Sequence, residues 1–548
     1  MYGIRFRDQH PSKRRKSYMI SLASFAALFF LLQTTTNVTR RSLEDTSYSR
    51  KTSNDIASEN SRLEKNKLAD DGNITPFTDC QIKLTSKNLD VDFYERSMYT
   101  PRELQERIII PDRDSIRSIN QNPVIRLRPD KFLLPILANG PNNQIIGLRE
   151  AALVAIKLNR TLVIPKFFKH ISDSQIGSGV GTMTFIYPGH RLEVKDFCRF
   201  MSCISMEEFQ QTCGYQIDAV MHLSRYSEAD LKKFESIIGM KILNQDISRA
   251  KKSNGVKLVP RKPIDPEFKF RKFRPDEIPE LFSTSKRCVI YPRPLYNLQF
   301  ARLDLKNKGK GRLISSETDL QTSSDTRLWL SLSYYSRSPE YISQIAKSFI
   351  SLEMGKKQFI SVHWRYNKDD FMKRCQIDIT HANEMKLTLC RNALLIKPTD
   401  IAMAIEDKII SLRKEGKLQH NPHLYFAAPP SERKIIEGVA KILFDRQGMT
   451  TFSSVDVEEF MKVRYNSCPS LERHFNDIMS TTEMEICTRS LVFLGSVRSS
   501  WTDNVKSMRL TSQFQMALPE FDGDIFLSSV EMREKRTKRL MKKQRDMS

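Results

Sequence analysis

Acidic residues are scarce in this 548-residue chain: 64 Asp and Glu stand against 88 Lys and Arg, a formal net charge of +24. Such an excess raises nucleic acid as a partner. The sequence, however, has no zinc-finger spacing, no aromatic-rich binding motif and no basic helix followed by heptads, so no nucleic-acid partner is expected. The excess sits in runs, RFRDQHPSKRRK at the N-terminus, Lys251 to Lys272, and Arg533 to Arg545. Runs of this kind are solvated or drawn to acidic partners and do not define a fold. A P-loop is also missing, because Lys306 to Arg312 (KNKGKGR) lacks the G-x-x-x-x-G-K-[ST] order. Cys198, Cys203 and Cys213 have no nearby histidines and no short Cys-x-x-Cys pairs, which argues against zinc and for disulfides or buried thiols. There is no KDEL-type ending and no internal repeat.

What is present first is an apolar run, residues 18–32 (YMISLASFAALFFLL), preceded by Lys13, Arg14, Arg15 and Lys16. Basic residues ahead of an apolar segment favour a cytoplasmic N-terminus. Without a small-x-small cleavage site after it, the segment reads as an uncleaved signal anchor in preference to a cleaved signal peptide. Either way the bulk of the chain is expected in a lumen. That setting suits the acceptor triplets at Asn37, Asn73 and Asn159 and nine cysteines that would mostly pair, in local groups Cys198/Cys203/Cys213, Cys375/Cys390 and Cys468/Cys487. Sequence leaves the connectivity open. The expected organisation is a cytosolic basic tail at 1–17, a membrane span at 18–33, a polar lumenal stem at 34–124, α/β domains at 125–347 and 348–530, and a basic tail at 531–548.

Residues 132–165 read as strand, turn, helix, strand. An apolar run from Phe132 to Leu137 breaks at Asn139-Gly140-Pro141-Asn142-Asn143-Gln144, a helical pattern follows, and Thr161 to Ile164 is apolar again. Such a unit belongs to an open parallel sheet, whose ligands bind outside the carboxyl ends of the strands. A helix start there offers unpaired N–H groups to phosphate. The stretch 194–213 reads as helical and the basic segment after Lys251 as a loop. Further strands are expected at Cys288–Pro292, Phe359–His363, Leu424–Ala428 and Ser490–Gly495, with an amphipathic helix from Pro398 to about Glu415 carrying Ile401, Ile405, Ile409 and Leu412 on one stripe. Strands alternating with helices in two halves give two doubly wound domains with a cleft between them.

Two further segments carry chemistry. His363-Trp364-Arg365 follows a buried strand, so His363 and Arg365 point the same way and Trp364 points into the core. The arginine fork suits phosphate oxygens, unless Asp369 or Asp370 occupies it. Ser499-Ser500-Trp501-Thr502 places hydroxyls and amides at a helix start, where a second phosphate or a ribose could bind.

Taken together, Gly140-Pro-Asn-Asn-Gln144, His363-Trp-Arg-Tyr-Asn-Lys-Asp369, Tyr425-Phe-Ala-Ala-Pro-Pro-Ser-Glu432 and Phe493-Leu-Gly-Ser496 with Ser499-Ser-Trp-Thr502 resemble the GDP-fucose protein O-fucosyltransferases over residues 130–510. The resemblance implies a GT-B-like fold, α/β with two Rossmann-like domains and GDP-fucose in the cleft, and no required metal or other cofactor. It implies that Asn143, and less directly Asn142, contacts the sugar-nucleotide phosphate. By the same resemblance His363 contacts the nucleotide, Arg365 is the catalytic group that stabilises the departing diphosphate, and Ser499, Ser500, Trp501 and Thr502 surround the phosphates and base. It further implies an enzyme moving fucose with inversion onto a hydroxyl of a protein Ser or Thr, or of a glycan. The expected setting is the Golgi or endoplasmic reticulum membrane, single-pass type II, with the catalytic part lumenal. Metal-dependent transferases of the other common fold use Asp-x-Asp after an apolar strand, and Asp90-Val-Asp92 and Asp522-Gly-Asp524 lie in other contexts. Two departures stand out. The first motif has no acidic base, its nearest carboxylate being Glu150 well inside the helix, and the position where some members carry a guanine-reading Asp is Leu491. These departures motivate the rival reading, a catalytically silent relative that binds a GDP-sugar or a glycan in the lumen.

Overall fold

The computed structural model describes residues 122–137, 139–169, 185–221, 228–242, 257–258, 273–298, 313–355, 357–365, 395–418, 420–465, 471, 474–496, 499–516 and 521–547. All belong to one unit, Pro76–Ser548. The expected span, the stem up to residue 121, Asn37, Asn73, the segment 306–312, Asp369, Asp370, Cys375, Cys390 and Cys468 lie outside the described residues. Among the described residues no helix is long and apolar enough to cross a membrane.

Two parallel sheets form the body. In the first half, β1 (Phe132–Ile136) leads to helix α1 (Pro141–Lys157), followed by β2 (Thr161–Val163), β3 (Cys203–Ile204), β4 (Ala219–Met221), β5 (Lys257–Leu258) and β6 (Cys288–Pro292). Their order across the six-stranded sheet is β3-β2-β1-β6-β4-β5. β1 is apolar throughout because both of its faces are covered. Leu133 belongs to one core, while Phe132, Leu134 and Ile136 belong to another. Pro135, which has no N–H to give, lies past the last residues of β1 that pair with β2, so the sheet tolerates it in a central strand. The starts of β1 and β6 are tied by the buried Arg160, whose guanidinium donates to the carbonyls of Phe132, Thr284, Lys286 and Arg287.

Helices α2 (Asp325–Tyr335) and α3 (Glu340–Leu352) carry the chain across. Leu328 and Leu332 pack in the first core and Tyr341, Ile342, Ile345 and Phe349 in the second, so the change of core falls near Pro339 and residue 348 lies inside a helix. The second half runs β7 (Phe359–His363), α4 (Pro398–Lys414), β8 (His423–Ala427), α5 (Arg433–Gln447), β9 (Thr451–Ser453), α6 (Ser454–Arg464), α7 (Phe475–Thr488), β10 (Val492–Gly495), α8 (Ser500–Met516), β11 (Phe521–Asp524) and α9 (Ile525–Met547). The order β9-β8-β7-β10-β11 places the chain's direction of winding in reverse between β7 and β10. β7 shows the two-residue period directly: Phe359 packs on one face of the sheet, and Ile360, Val362 and Trp364 on the other. Ile401, Ile405, Ile409 and Leu412 of α4 are buried as one stripe, each contributing roughly 1.5–3 kcal/mol.

Two expectations are corrected. The basic segment after Lys251, read as a loop, supplies the edge strand β5, which pairs with β4. The stretch 194–213 is broken by β3 into two short helices, Val194–Phe200 and Met206–Thr212. The last basic run, for which exposed helix or disorder was expected, is helical: it belongs to α9, which starts at Ile525 and continues unbroken past residue 530. Val530 and Met532 of this helix are buried, and Arg536 Nε reaches the buried Asp400 of α4 at 2.9 Å. Cys213, at the end of the helix Met206–Thr212, pairs with Cys288 of β6, outside its local group, while Cys198 and Cys487 are buried thiols. Closing a loop of 75 residues, that bridge contributes about 4 kcal/mol by restricting the unfolded chain.

Candidate functional site

The two sequence segments of the second half lie on the two strands that flank its winding reversal, where open α/β sheets bind ligands. His363 ends β7 and Ser499 follows β10. Hydrogen bonds lace the two ends together. Ser496 Oγ donates to the His363 carbonyl at 2.6 Å and accepts from the Arg365 amide at 3.0 Å. Thr502 Oγ1 accepts from the Ser496 amide at 3.1 Å and meets His363 Nδ1 at 2.8 Å. The His363 ring stacks on Trp501, centroids 4.1 Å apart and planes 24° apart. The Trp501 indole donates to Ser480 Oγ of α7 at 3.3 Å. Gly495 is required by this closeness, since a Cβ there would fall 2.3 Å from Thr502 Cγ2.

The electrostatics follow from position. Burial, then the neighbouring Arg365 charge, pulls the His363 pKa down to about 3, so the ring is neutral at physiological pH and acts through hydrogen bonds. Arg365 is exposed at the strand end, and no described residue gives its guanidinium a carboxylate or a hydrogen-bond partner. Ser499 is 2% exposed and its hydroxyl has no partner. Ser500 opens α8. A charged fork at the end of β7, a buried hydroxyl and the amides of the α8 start thus follow two neighbouring strand ends, tied by the Arg365 amide to Ser496, and groups of these kinds suit a phosphate. Trp364 is buried against Phe526, with its indole donating to Glu432 at 3.3 Å, so it belongs to the core as expected.

The turn after β1 forms the opposite wall. Gly140 caps α1 without a side-chain hydrogen bond and Pro141 stands at its start, leaving the first-turn amides uncapped. Gln144 is structural: it donates to the Asn139 carbonyl at 2.9 Å and accepts from the Phe168 amide at 2.8 Å. Asn142 reaches the second half, its carbonyl and Oδ1 each accepting from Asn504 Nδ2 of α8 at 3.1 Å. Asn504 Oδ1 in turn accepts from Arg149 Nη1 at 2.9 Å. Asn143, the residue carried first by the resemblance, is half-buried and makes no side-chain hydrogen bond among the described residues. Beside them Arg191 and Asp477 form an ion pair at 2.5 Å, each side chain 2% exposed, between the first half and α7. Tyr296 donates to Asp503 of α8 at 2.9 Å, a third link between the halves.

Two carboxylates clarify the departures seen in the sequence. Glu150 is buried and accepts from Tyr291 at 2.5 Å and from Asn297 and Leu298 amides, so it holds the loop after β6 and does not face the turn. Leu491 lies before β10, where its amide bonds Phe359. The carboxylate near the strand ends is Glu483 of α7, which sequence reading missed. Its Oε1 accepts from Ser454 at 2.6 Å and Tyr425 at 2.9 Å, leaving Oε2 without a partner among the described residues. Burial pushes its pKa up to about 7, against those two hydrogen bonds. Glu483 stands one turn along α7 from Ser480, the partner of Trp501. Among the described residues no cluster of His, Cys, Asp or Glu could hold a metal ion.

No family model and no curated protein matches the chain. Among solved structures it is similar to POFUT1 in complex with GDP at 14% identity, over 73% of this chain and 99% of that one, with a TM-score of 0.41. It is similar to a mutant of Arabidopsis thaliana FUT1 in complex with GDP at 10% identity, over 72% of each chain, with a TM-score of 0.37. It is also similar to the fucosyltransferase NodZ from Bradyrhizobium at 13% identity, over 69% of this chain and 93% of that one, with a TM-score of 0.32. Likeness of this degree bears no argument about activity.

The Arg191–Asp477 pair should fix the turn wall against the second half. Asp477→Ala leaves a buried guanidinium without its carboxylate and is expected to cost about 3–5 kcal/mol in chemical denaturation. A loss below about 1 kcal/mol would show that the pair does not hold the halves together.

Proposed function

We propose that the chain is a glycosyltransferase of GT-B-like organisation that moves fucose from GDP-fucose to a hydroxyl acceptor, a protein Ser or Thr first and a glycan second, with inversion and without a metal. The observation that carries this reading is that Arg365 and Ser499, whose side chains have no partner among the described residues, follow the two strands that flank the winding reversal of the second sheet, beside the α8 start. Departure of a nucleoside diphosphate from a sugar carbon builds negative charge on the leaving oxygens. A guanidinium at the strand end and helix-start amides stabilise that charge. Neutral His363, held by Thr502 and stacked on Trp501, presents its other ring nitrogen to the nucleotide. Asn143 and the amides of the α1 start face the donor from the turn. Glu483 Oε2 accepts from the donor edge of guanine, N1–H or the exocyclic amine, while Oε1 stays with Ser454 and Tyr425. The catalytic part lies in the lumen of the Golgi or endoplasmic reticulum, carried by a type II span at 18–33.

The rival reading, donor binding without turnover, draws on Glu150. With its oxygens engaged by Tyr291, Asn297 and Leu298, it is not available to take the acceptor proton. Calorimetry with GDP beside a transfer and hydrolysis assay separates the two, since the silent relative binds and does not turn over.

A panel of sugar nucleotides tests the main reading. GDP-fucose should be consumed, and Arg365→Ala should lower kcat/KM by at least about 100-fold with unchanged thermal stability. Use of UDP- or CMP-sugars in preference to GDP-fucose would discard the donor, and near-normal activity of the variant would discard the role of Arg365. The raised pKa of Glu483 gives a second expectation. Its accepting carboxylate forms as pH rises through about 7, so the donor KM should fall between pH 6 and pH 8. In Glu483→Gln that dependence should vanish; a variant that keeps the wild-type profile removes Glu483 from base reading.

A further inference from the structure

Between the halves lies a cavity of about 390 Å³ empty volume, part of it open to solvent, whose lining includes Asn142, Arg149, Arg191, Ser336, Ser480 and Asn504. Arg149 is its uncompensated charge. The side chain is 2% exposed, and its hydrogen bonds go to neutral groups alone, from Nε to Ser336 Oγ at 2.5 Å and from Nη1 to Asn504 Oδ1 at 2.9 Å. Nη2 has no partner, and no carboxylate pairs with the guanidinium among the described residues. The other cavity guanidinium, Arg191, is matched by Asp477 at 2.5 Å. The Arg149 side chain therefore brings one positive charge, with no carboxylate beside it among the described residues, to a cavity partly open to solvent.

An isolated buried ion costs several kcal/mol unless something of opposite charge joins it. Proton loss does not relieve it. Burial, with no acid opposing it, lowers the Arg149 pKa only to about 10, so the guanidinium stays charged at neutral pH. Around it the Ser480 hydroxyl and the Asn142 carboxamide nitrogen can donate to oxygens, while Thr481 Oγ1, Ser336 Oγ and Asn504 Nδ2 already donate to the Asp477 carbonyl, the Ser333 carbonyl and Asn142. Glu150, the next residue on α1, is turned away toward Tyr291 and Asn297.

We infer that this cavity is an oxyanion site in which a single phosphate-class group sits against Nη2 of Arg149, between α1 and α8. The site does not depend on the fucose-transfer reading, because it is set by Arg149 and not by Arg365. Two sources share the chemistry: free inorganic phosphate and a phosphate of a bound nucleotide.

The test is calorimetry and thermal unfolding of the full chain with inorganic phosphate, with GDP, and with chloride at matched ionic strength. Arg149→Met, Arg149→Lys and Arg365→Ala are compared with wild type. Phosphate binding alone assigns the free ion; GDP binding without phosphate binding assigns the nucleotide's phosphate. In either case Arg149→Met should weaken that binding by at least about 10-fold, a single charge-assisted contact. Ligand-free unfolding of the same variant separates lost binding from loss of the Arg149 hydrogen bonds to Asn504 and Ser336. Arg149→Lys, which keeps the charge without the fork, should bind with intermediate strength and covers the case that the Met variant does not fold. Equal stabilisation by chloride overturns the oxyanion class. Binding unaltered by both Arg149 variants, or lost in Arg365→Ala and kept in Arg149→Met, overturns the site.

Discussion

The architecture of the site depends on a buried polar seam between the two parallel sheets. The Arg191–Asp477 pair and the relay from Arg149 through Asn504 to Asn142 cross from α1 and its neighbours to α7 and α8. Polar groups of this kind are costly to bury unless matched, and once matched they permit one alignment of their partners. Asn142 is the first helical turn after β1, and Asn504 is one turn along α8 from Ser500. The seam therefore fixes the distance between the two helix starts that would face a diphosphate. Apolar packing alone would hold the halves together with less specificity of register.

On the second sheet the same logic works at shorter range. Gly495 lets Thr502 approach the strand end, Thr502 holds His363, and His363 stacks on Trp501. Each contact uses the groups that would otherwise be unpaired at a strand end or a helix start. What is left over is Arg365, the Ser499 hydroxyl and Glu483 Oε2. Their chemistry is complementary to a nucleotide, with a cation and donors toward phosphate and an acceptor toward a base. Function is read from this remainder.

Much of the frame was legible because local pattern and position coincide. The apolar runs of β1, β6 and β7, the Ile and Leu stripe of α4, and the turn-and-helix after β1 declare themselves within a dozen residues. The pair His363 and Arg365 follows from strand period alone, and Ser499 to Thr502 from a helix start. Other features were hidden for physical reasons. Asn142 and Asn504 are 362 residues apart, and no local pattern joins them. Cys288 lay outside the cysteine groups because its partner Cys213 is brought near by the sheet. Lys257–Leu258 became a strand by pairing with β4, an effect of tertiary context that outweighs a basic, loop-like composition. Glu483 has no motif around it and gains its character from Tyr425 and Ser454. Arg149 and Glu150 did leave a trace, two adjacent charges inside an apolar helix.

A structure of the full chain with GDP bound measures the central claim most directly. The account places the diphosphate oxygens within hydrogen-bond distance, about 3 Å, of the Arg365 guanidinium and of Ser499 Oγ, with the turn at Asn142 and Asn143 facing them. GDP seated elsewhere, with Arg365 and Ser499 still unpartnered, would contradict it.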